Sequence, residues 1–472
     1  MPPERRRFLA GGLASVAGLA GVAGCLGGGP DEGDAGDADD GGEADASTPT
    51  PVEDSEYDLT VDHDVESWTA YDPDWEPPTD PPALDADVET VIEGLEVPWD
   101  LAFAPDGDLF VSERIGRISR YDGEAVTSVA APDVIDRADS VAPGDDAMEW
   151  WGGGSEGGLM GLAVHPNYPD VPLVYAVYTY KAGADDYRNR VVYYDADADD
   201  PGATETVVVD SIPGHEVVHN GSRLAFGPAN YLWVTTGDAN DTALSPDPSS
   251  VAGKVLRVEP DGSAPADNPD LGGDPRVYSV GHRNPQGISF LPDGTPIVTE
   301  HGPGYRDEVQ IVRPGDDHGW GPEEDRARDG DTYPGTDFAR PVAHSGTDTT
   351  WAPSGCVFRT GGAADGWRNR LLVGGLRSQR LLAVTVHSRD GDPADATGGE
   401  RHDADWTDAE YDAVSHGLLA DELGRVRHVE QGPDGSVYAI TSNRDGRSND
   451  GDGFPREDDD RLVRLTPEDG TR

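Results

Sequence analysis

The chain has 472 residues, and 92 Asp and Glu against 35 Lys and Arg give it a formal net charge of −57. A phosphate backbone is bound by neutralising it with basic side chains, so this balance excludes nucleic acid as a partner. Residues 59–472 alone hold 79 acids and 32 bases, with Lys181 and Lys254 the only lysines, so the body itself is acidic; such a surface suits molar salt, where the Debye length falls to about 3 Å, and adaptation to brine is preferred to a cation-binding role.

Residues 1–25 read as an address. Arg5-Arg6-Arg7-Phe8-Leu9 resembles a twin-arginine export motif, and the 15 residues from Ala10 to Gly24 are small and apolar but too few to span a membrane comfortably. Val22-Ala23-Gly24-Cys25 resembles a lipobox. It implies cleavage before Cys25, lipidation of its thiol, and a cell-surface lipoprotein held at the membrane outside the cytoplasm. An uncleaved anchor or a soluble secreted product is the alternative. With Cys25 so used, Cys356 is alone and no disulfide framework can form. Residues 26–87 read as an acidic, disordered tether followed by an extended lead-in. There the aromatics and prolines from Trp68 to Pro82 drape over a domain expected to begin at residue 88.

The length of the body allows one large all-β domain or two to three ordinary ones. A recurring pattern decides between them. A tight turn followed by alternating apolar residues appears at Pro105-Asp106-Gly107, Pro292-Asp293-Gly294 and Pro433-Asp434-Gly435. Variants lie at Pro228-Ala229-Asn230 and His165-Pro166-Asn167. Alternation after a tight turn is the strand and hairpin signal. Prolines 105, 166, 228 and 292 are evenly spaced, and the longer step to 433 leaves room for a further copy near residue 362, where Asp365-Gly366-Trp367 precedes two apolar runs. Six copies without intervening amphipathic helices predict an all-β, six-bladed β-propeller of four-stranded antiparallel blades over residues 88–472. Two stacked β-sandwiches would not explain the constant step.

Four clusters carry chemistry. His219, before a glycine-bearing loop, and Asp238, after the returning strand, could form a general base and its orienting carboxylate. His215 and His219 have a zinc-like spacing, but no helix and no third ligand accompany them. Gly281-His282-Arg283-Asn284-Pro285 sets charged and neutral donors side by side, suited to a developing oxyanion. In Glu300-His301-Gly302-Pro303-Gly304, a Gly-Pro pair exposes carbonyls that suit a hard cation. Arg425 and Arg427, at period two, point to one side and could grip ligand carboxylates.

Taken in order, Gly157 to Pro166, His219 to Gly227, Gly281 to Gly287, Glu300 to Glu308, His318-Gly319-Trp320, Trp351 to Gly355 and Arg425-Val426-Arg427 resemble the soluble aldose sugar dehydrogenases that use pyrroloquinoline quinone. The resemblance implies an enzyme that oxidises an aldose to a lactone, with calcium and the quinone as cofactors and an external electron acceptor. It implies His219 as the base, Asp238 behind it, and Arg283 and Asn284 as donors to the quinone oxygens. The carbonyls of Gly302 and Pro303 correspond to calcium ligands, and Arg425 and Arg427 to the binders of the quinone carboxylates.

The sequence also departs from that pattern. Glu156 stands where the glucose-oxidising branch has a glutamine near substrate and cofactor, and Val218 stands where it has an aspartate. A lysine of that branch has no counterpart, with Arg359 or Arg377 as candidate substitutes. Glucose specificity is therefore not implied. Trp151, Tyr305, Trp320 and Trp351 could stack on a sugar, although core packing is preferred for any one of them. The rival readings are a cofactor-free propeller acting as a carbohydrate- or protein-binding lipoprotein, and a metal-dependent lactonase.

Overall fold

The computed structural model describes residues 51–52, 55–132, 155–184, 186–322, 337–361, 366–448 and 453–468. The expectations for the signal, Cys25 and the tether to residue 50, and Trp151 with them, lie outside the described residues.

Apolar alternation along the strands buries both faces of each sheet. In the strand Leu173–Gly183, Tyr175 and Val177 pack toward the following repeat, whereas Val174 and Ala176 pack toward the preceding one. Twisted sheets covered on both sides by their like close into a ring. The result is the six-bladed propeller. Blade 1 spans residues 98–130, blade 2 159–213, blade 3 221–279, blade 4 285–344, blade 5 353–418 and blade 6 426–467. Blade 5 adds a short fifth strand, Glu400–His402, beyond the four expected.

The two ends of the described chain close the ring. Ala86–Ile92 pairs antiparallel with Leu462–Pro467, Val88 opposite Leu465, and so supplies the outer strand of blade 6. The core is accordingly a set of wedges between neighbours. Leu224, Val234 and Leu256 of blade 3 meet Tyr175 of blade 2, and Leu372 and Leu381 of blade 5 meet Val426 and Val429 of blade 6.

The repeat prolines 105, 166, 228, 292 and 433 all lie between the first and second strands of their blades. In blade 5 this connection joins Pro353–Arg359 to Arg370–Gly375, with residues 362–365 outside the described set. A first strand such as Gly221–Phe226 has 6 residues and carries the chain roughly 20 Å from one mouth of the axis to the other. His219, Arg283 and Arg425 immediately precede these strands and stand at one mouth, and the turns stand at the opposite one.

The lead-in runs across the turn end. Asn230 Nδ2 donates to Asp62 O at 2.7 Å, Asp72 N to Pro292 O at 2.9 Å and Asn369 Nδ2 to Glu76 O at 2.8 Å. Trp75 meets Phe358 edge-on, with ring centroids 5.3 Å apart. Trp367, fully buried, donates its indole N–H to Ala83 O at 2.8 Å. Trp367→Ala should lower stability by about 3–5 kcal/mol. A urea titration in molar salt checks this, and an unchanged midpoint would mean that the seam contributes nothing.

Candidate active site at the propeller axis

Strand pairing brings the proposed base and carboxylate together. His219 precedes Gly221–Phe226, Asp238 follows Leu232–Thr236, and Gly221 lies opposite Thr236. His219 Nδ1 donates to Asp238 Oδ1 at 2.7 Å, and Trp320 Nε1 donates to Asp238 Oδ2 at 2.8 Å. With Nδ1–H committed to the carboxylate, Nε2 retains its lone pair, the arrangement a general base requires. The backbone at His219 is left-handed, with φ 59°. Two hydrogen bonds hold this uncommon conformation: His219 N donates to Glu156 Oε2 at 3.0 Å and Ala239 N to His219 O at 3.2 Å. His215 is occupied otherwise, its Nδ1 accepting from Val217 N and Val218 N at 3.0 and 3.2 Å.

Blade 4 supplies Arg283 and Asn284. Asn284 Nδ2 donates to Glu156 Oε2 at 3.2 Å, and Asn284 Oδ1 accepts from Gly221 N at 3.0 Å. Arg283 N donates to Glu300 Oε1 at 2.7 Å, while its guanidinium donates to His301 O at 3.2 Å and lies 5.4 Å from the Trp320 ring centre. Glu300 Oε2 in turn accepts from His282 Nδ1, and Ser279 Oγ donates to His282 Nε2, both at 2.8 Å. Ser279, His282 and Glu300 have the connectivity of a hydrolase triad, but all three are fully buried. No substrate can reach them, so their effect is to fix the backbone at Arg283.

The Gly302-Pro303 loop is fastened through Asp307. Gly302 N donates to Asp307 Oδ1 at 2.9 Å. Asp307 Oδ2 accepts from Thr350 Oγ1 and Trp351 N, both at 2.6 Å, and from Ala352 N at 2.9 Å, tying the loop to the entry of blade 5. A side chain at Gly302 would collide with the carbonyls of Tyr305 and Arg306. Among the described residues no group of three or more His, Cys, Asp or Glu side chains is placed to hold a metal. The Gly302 carbonyl accepts from Gly304 N at 2.9 Å, and it and the Pro303 carbonyl are the groups that the sequence offers to a cation here.

Arg425 and Arg427 converge, as their spacing predicts, on a residue that sequence reasoning missed. Arg425 donates to Asp445 Oδ2 from Nη2 at 2.7 Å and from Nε at 3.1 Å, and Arg427 Nη2 approaches the same oxygen at 3.4 Å. Arg427 Nη1 donates to Gln286 Oε1 at 3.1 Å, while its buried Nε has no hydrogen-bond partner. Two further arginines join them. Buried Arg114 donates to the carbonyls of Ser155 and Gly157, and Arg447 donates to Glu156 Oε1 at 2.9 Å. Arg425 and Arg427 thus share one carboxylate, Asp445, beside the Arg447–Glu156 pair and the charge of Arg114.

The electrostatics follow from that imbalance. Burial pushes Arg427 down to about 9, with Arg114 and Arg425 opposing its charge and Asp445 supporting it. Burial likewise brings Arg114 down to about 10. Burial pushes Glu156 upward, but Arg447, then His301 and His219, outweigh it and hold the carboxylate at about 2. Asp445 is also held below its ordinary value, burial being overcome by Arg425 and Arg427. Two buried arginines on one carboxylate, with an unpartnered N–H on Arg427, suit a ligand bearing carboxylates.

His219, Asp238, Asn284 and Glu156 are thus linked directly, Arg283 flanks Trp320 beside them, and Arg425 and Arg427 meet through Asp445. Of the two candidate lysine substitutes, Arg359 bonds Thr360 O at the turn end, whereas exposed Arg377 belongs to the site end. Tyr305 is 47% exposed, and Trp351 is buried. The missed Asp445 follows a second strand just as Asp238 does, and Glu300, whose partners the sequence did not show, ends one. A repeat-phase signal marks Glu300: Glu96 N bonds Glu113 17 residues on, Arg283 N bonds Glu300 17 residues on, and Arg425 N bonds Asn443 18 residues on.

A family model for glucose/sorbosone dehydrogenases matches residues 95–449. The chain belongs to this family. A structure from Thermus thermophilus described as an oxidoreductase and glucose dehydrogenase is 35% identical, with a TM-score of 0.63 over 80% of this chain and 99% of that one. The PQQ-bound aldose sugar dehydrogenase of Streptomyces coelicolor is 31% identical, with a TM-score of 0.61 over 83% and 99%. An aldose sugar dehydrogenase of Escherichia coli is 27% identical over 76% of this chain and 91% of its own.

Beneath the site the axis of this sugar dehydrogenase family member is filled with charge. Arg223 pairs with Asp100, and His428 Nε2 lies 3.3 Å from Asp100 Oδ1 and 3.4 Å from Glu430 Oε2. Burial pushes Glu430 up to about 8. The folded chain then keeps a proton that the unfolded chain releases above about pH 4.3, so the group removes stability as pH rises between those values. Glu430→Gln should gain in melting temperature over wild type progressively from pH 5 to pH 8. An offset independent of pH would contradict this.

Proposed function

We propose that the chain oxidises an aldose at its anomeric carbon to the lactone, using pyrroloquinoline quinone with calcium and passing electrons to an external acceptor. The observation that carries this reading is the His219–Asp238 pair, 2.7 Å apart, at the same mouth as Arg425 and Arg427, which share the single carboxylate of Asp445. The carboxylates of the quinone match these arginines, with Arg425 and Arg427 as the residues that would hold them. Arg283 and Asn284 would donate to its oxygens, beside a Glu156 that shapes the pocket. The carbonyls of Gly302 and Pro303 would ligate calcium. When bound, the calcium-polarised quinone supplies a two-electron acceptor for the hydride of the anomeric carbon.

The remaining chemistry belongs to the chain. His219 Nε2 takes the proton of the anomeric hydroxyl as its carbon loses hydride, so oxidation leaves a neutral carbonyl. Asp238 holds the ring in the required tautomer and stabilises the imidazolium that forms. The Trp320 indole N–H occupies the second carboxylate oxygen, which keeps Asp238 from turning away. The Arg283 guanidinium stabilises negative charge opposite the base. The signal-like residues 5–25 support an extracytoplasmic setting, with the product of twin-arginine export anchored by lipid at Cys25.

The test is reconstitution of purified protein in molar salt with calcium and the quinone, followed by aldose-dependent dye reduction across a sugar panel. His219→Ala should lower kcat by about 10²–10⁴ while quinone binding persists. Saturable quinone binding without dye reduction by any sugar would defeat the dehydrogenase reading, and lactone hydrolysis in its place would favour a lactonase. Chelation of calcium should abolish activity, and added calcium should restore it. Activity indifferent to chelation would remove calcium from the account.

A further inference from the structure

Glu156 makes more connections between blades than any single residue the sequence singled out. The backbone that carries it is pinned from two sides: Glu156 N donates to Val217 O at 2.7 Å, Ser155 Oγ donates to Glu216 O at 2.7 Å, and Arg114 Nε donates to Gly157 O at 3.1 Å. Its side chain then divides its two oxygens. Oε2 accepts from His219 N at 3.0 Å and Asn284 Nδ2 at 3.2 Å, serving the base and its neighbour in blades 3 and 4. Oε1 accepts from Arg447 Nη1 at 2.9 Å, from blade 6.

The division matters because the two sides do different work. The His219 backbone is in the left-handed region, and the Oε2 contact is one of the two bonds that hold it there. A carboxylate free to rotate would share that oxygen with solvent or with other donors, and the imidazole would lose its fixed relation to Asp238. Arg447 removes this freedom by taking the opposite oxygen. The charged groups facing Glu156 are Arg447, His301, His219 and, through the shared cluster, Arg114. Arg447 donates to the carboxylate from its guanidinium, and His219 from its main-chain N–H.

We propose that Arg447 is a positioning residue: it fixes the rotation of the Glu156 carboxylate and thereby the placement of the His219 base and the Asn284 amide. Its action on catalysis rests on the dehydrogenase reading above; its action on geometry does not. Arg447 touches neither the base nor Asn284 itself. The proposed effect on both passes through Glu156, and that routing makes the proposal testable.

The experiment compares Arg447→Met, Arg447→Lys, Glu156→Gln and the Arg447→Met/Glu156→Gln double variant, with wild type, as quinone- and calcium-loaded enzymes. Misplacing a catalytic group by about 1 Å can cost about 10²-fold in rate. Arg447→Met is therefore expected to lower kcat by roughly 10- to 100-fold with sugar KM changed far less, and Arg447→Lys to restore most of the loss. In the Glu156→Gln background, Arg447→Met should have no further effect. An equal loss from Arg447→Met in both backgrounds, or no loss in either, would overturn the proposal. A crystal structure of the Arg447→Met protein without cofactor gives an independent readout. The Glu156 carboxylate should have left His219 N and Asn284 Nδ2, and an unmoved carboxylate would refute the positioning role. Should wild type prove inactive on every sugar, the dehydrogenase reading fails, and this structure still decides the geometric claim.

Discussion

Two buried guanidinium groups that meet on one buried carboxylate are the constraint on which the site depends. Arg425 and Arg427 meet on Asp445 at one mouth of the axis, beside buried Arg114 and the pair of exposed Arg447 with Glu156, in a chain whose overall charge is −57. Removing cations from water without full pairing costs several kcal/mol per ion. A fold tolerates this where a polyanionic ligand completes the pairing. The acidity of the chain describes its solvent, and the few arginines turned against it describe its ligand.

Ring closure delivers these groups to one place. Each blade begins its first strand at the same mouth, so residues just ahead of that strand converge whatever their separation in sequence. The pairing of Ala86–Ile92 with Leu462–Pro467 completes the circle. It also holds blade 6, with Arg425, Arg427, Asp445 and Arg447, against blade 1 and its Arg114. The lead-in between residues 62 and 84 attaches at the other mouth, through the turns around Asn230, Pro292 and Trp367, and leaves the site end uncrossed by those contacts.

Much of this was legible in the sequence because the propeller repeats in register. Turn prolines and alternating strands announced six blades, and His219, Arg283 and Arg425 announced the axial mouth. Period two also put Arg425 and Arg427 on one side, where they meet Asp445. What escaped were residues whose meaning lies in a long-range partner. Arg447 lies outside any strand and resembles a solvated charge until Glu156, 291 residues away, is seen beside it. Arg114 reads as an ordinary turn residue until its contacts with Ser155 and Gly157 show that it carries the Glu156 segment. The fifth strand of blade 5 is too short for its alternation to be recognised.

The central claim is that this mouth binds a carboxylated quinone and reduces it with electrons from an aldose. Anaerobic single-turnover spectroscopy tests it most directly: calcium-loaded protein in molar salt is titrated with the quinone, and aldose is then added without any external acceptor. The account predicts saturation at one quinone per chain and a change to the reduced spectrum within one turnover. A quinone that does not bind, or that binds and keeps its oxidised spectrum with every aldose offered, would contradict it.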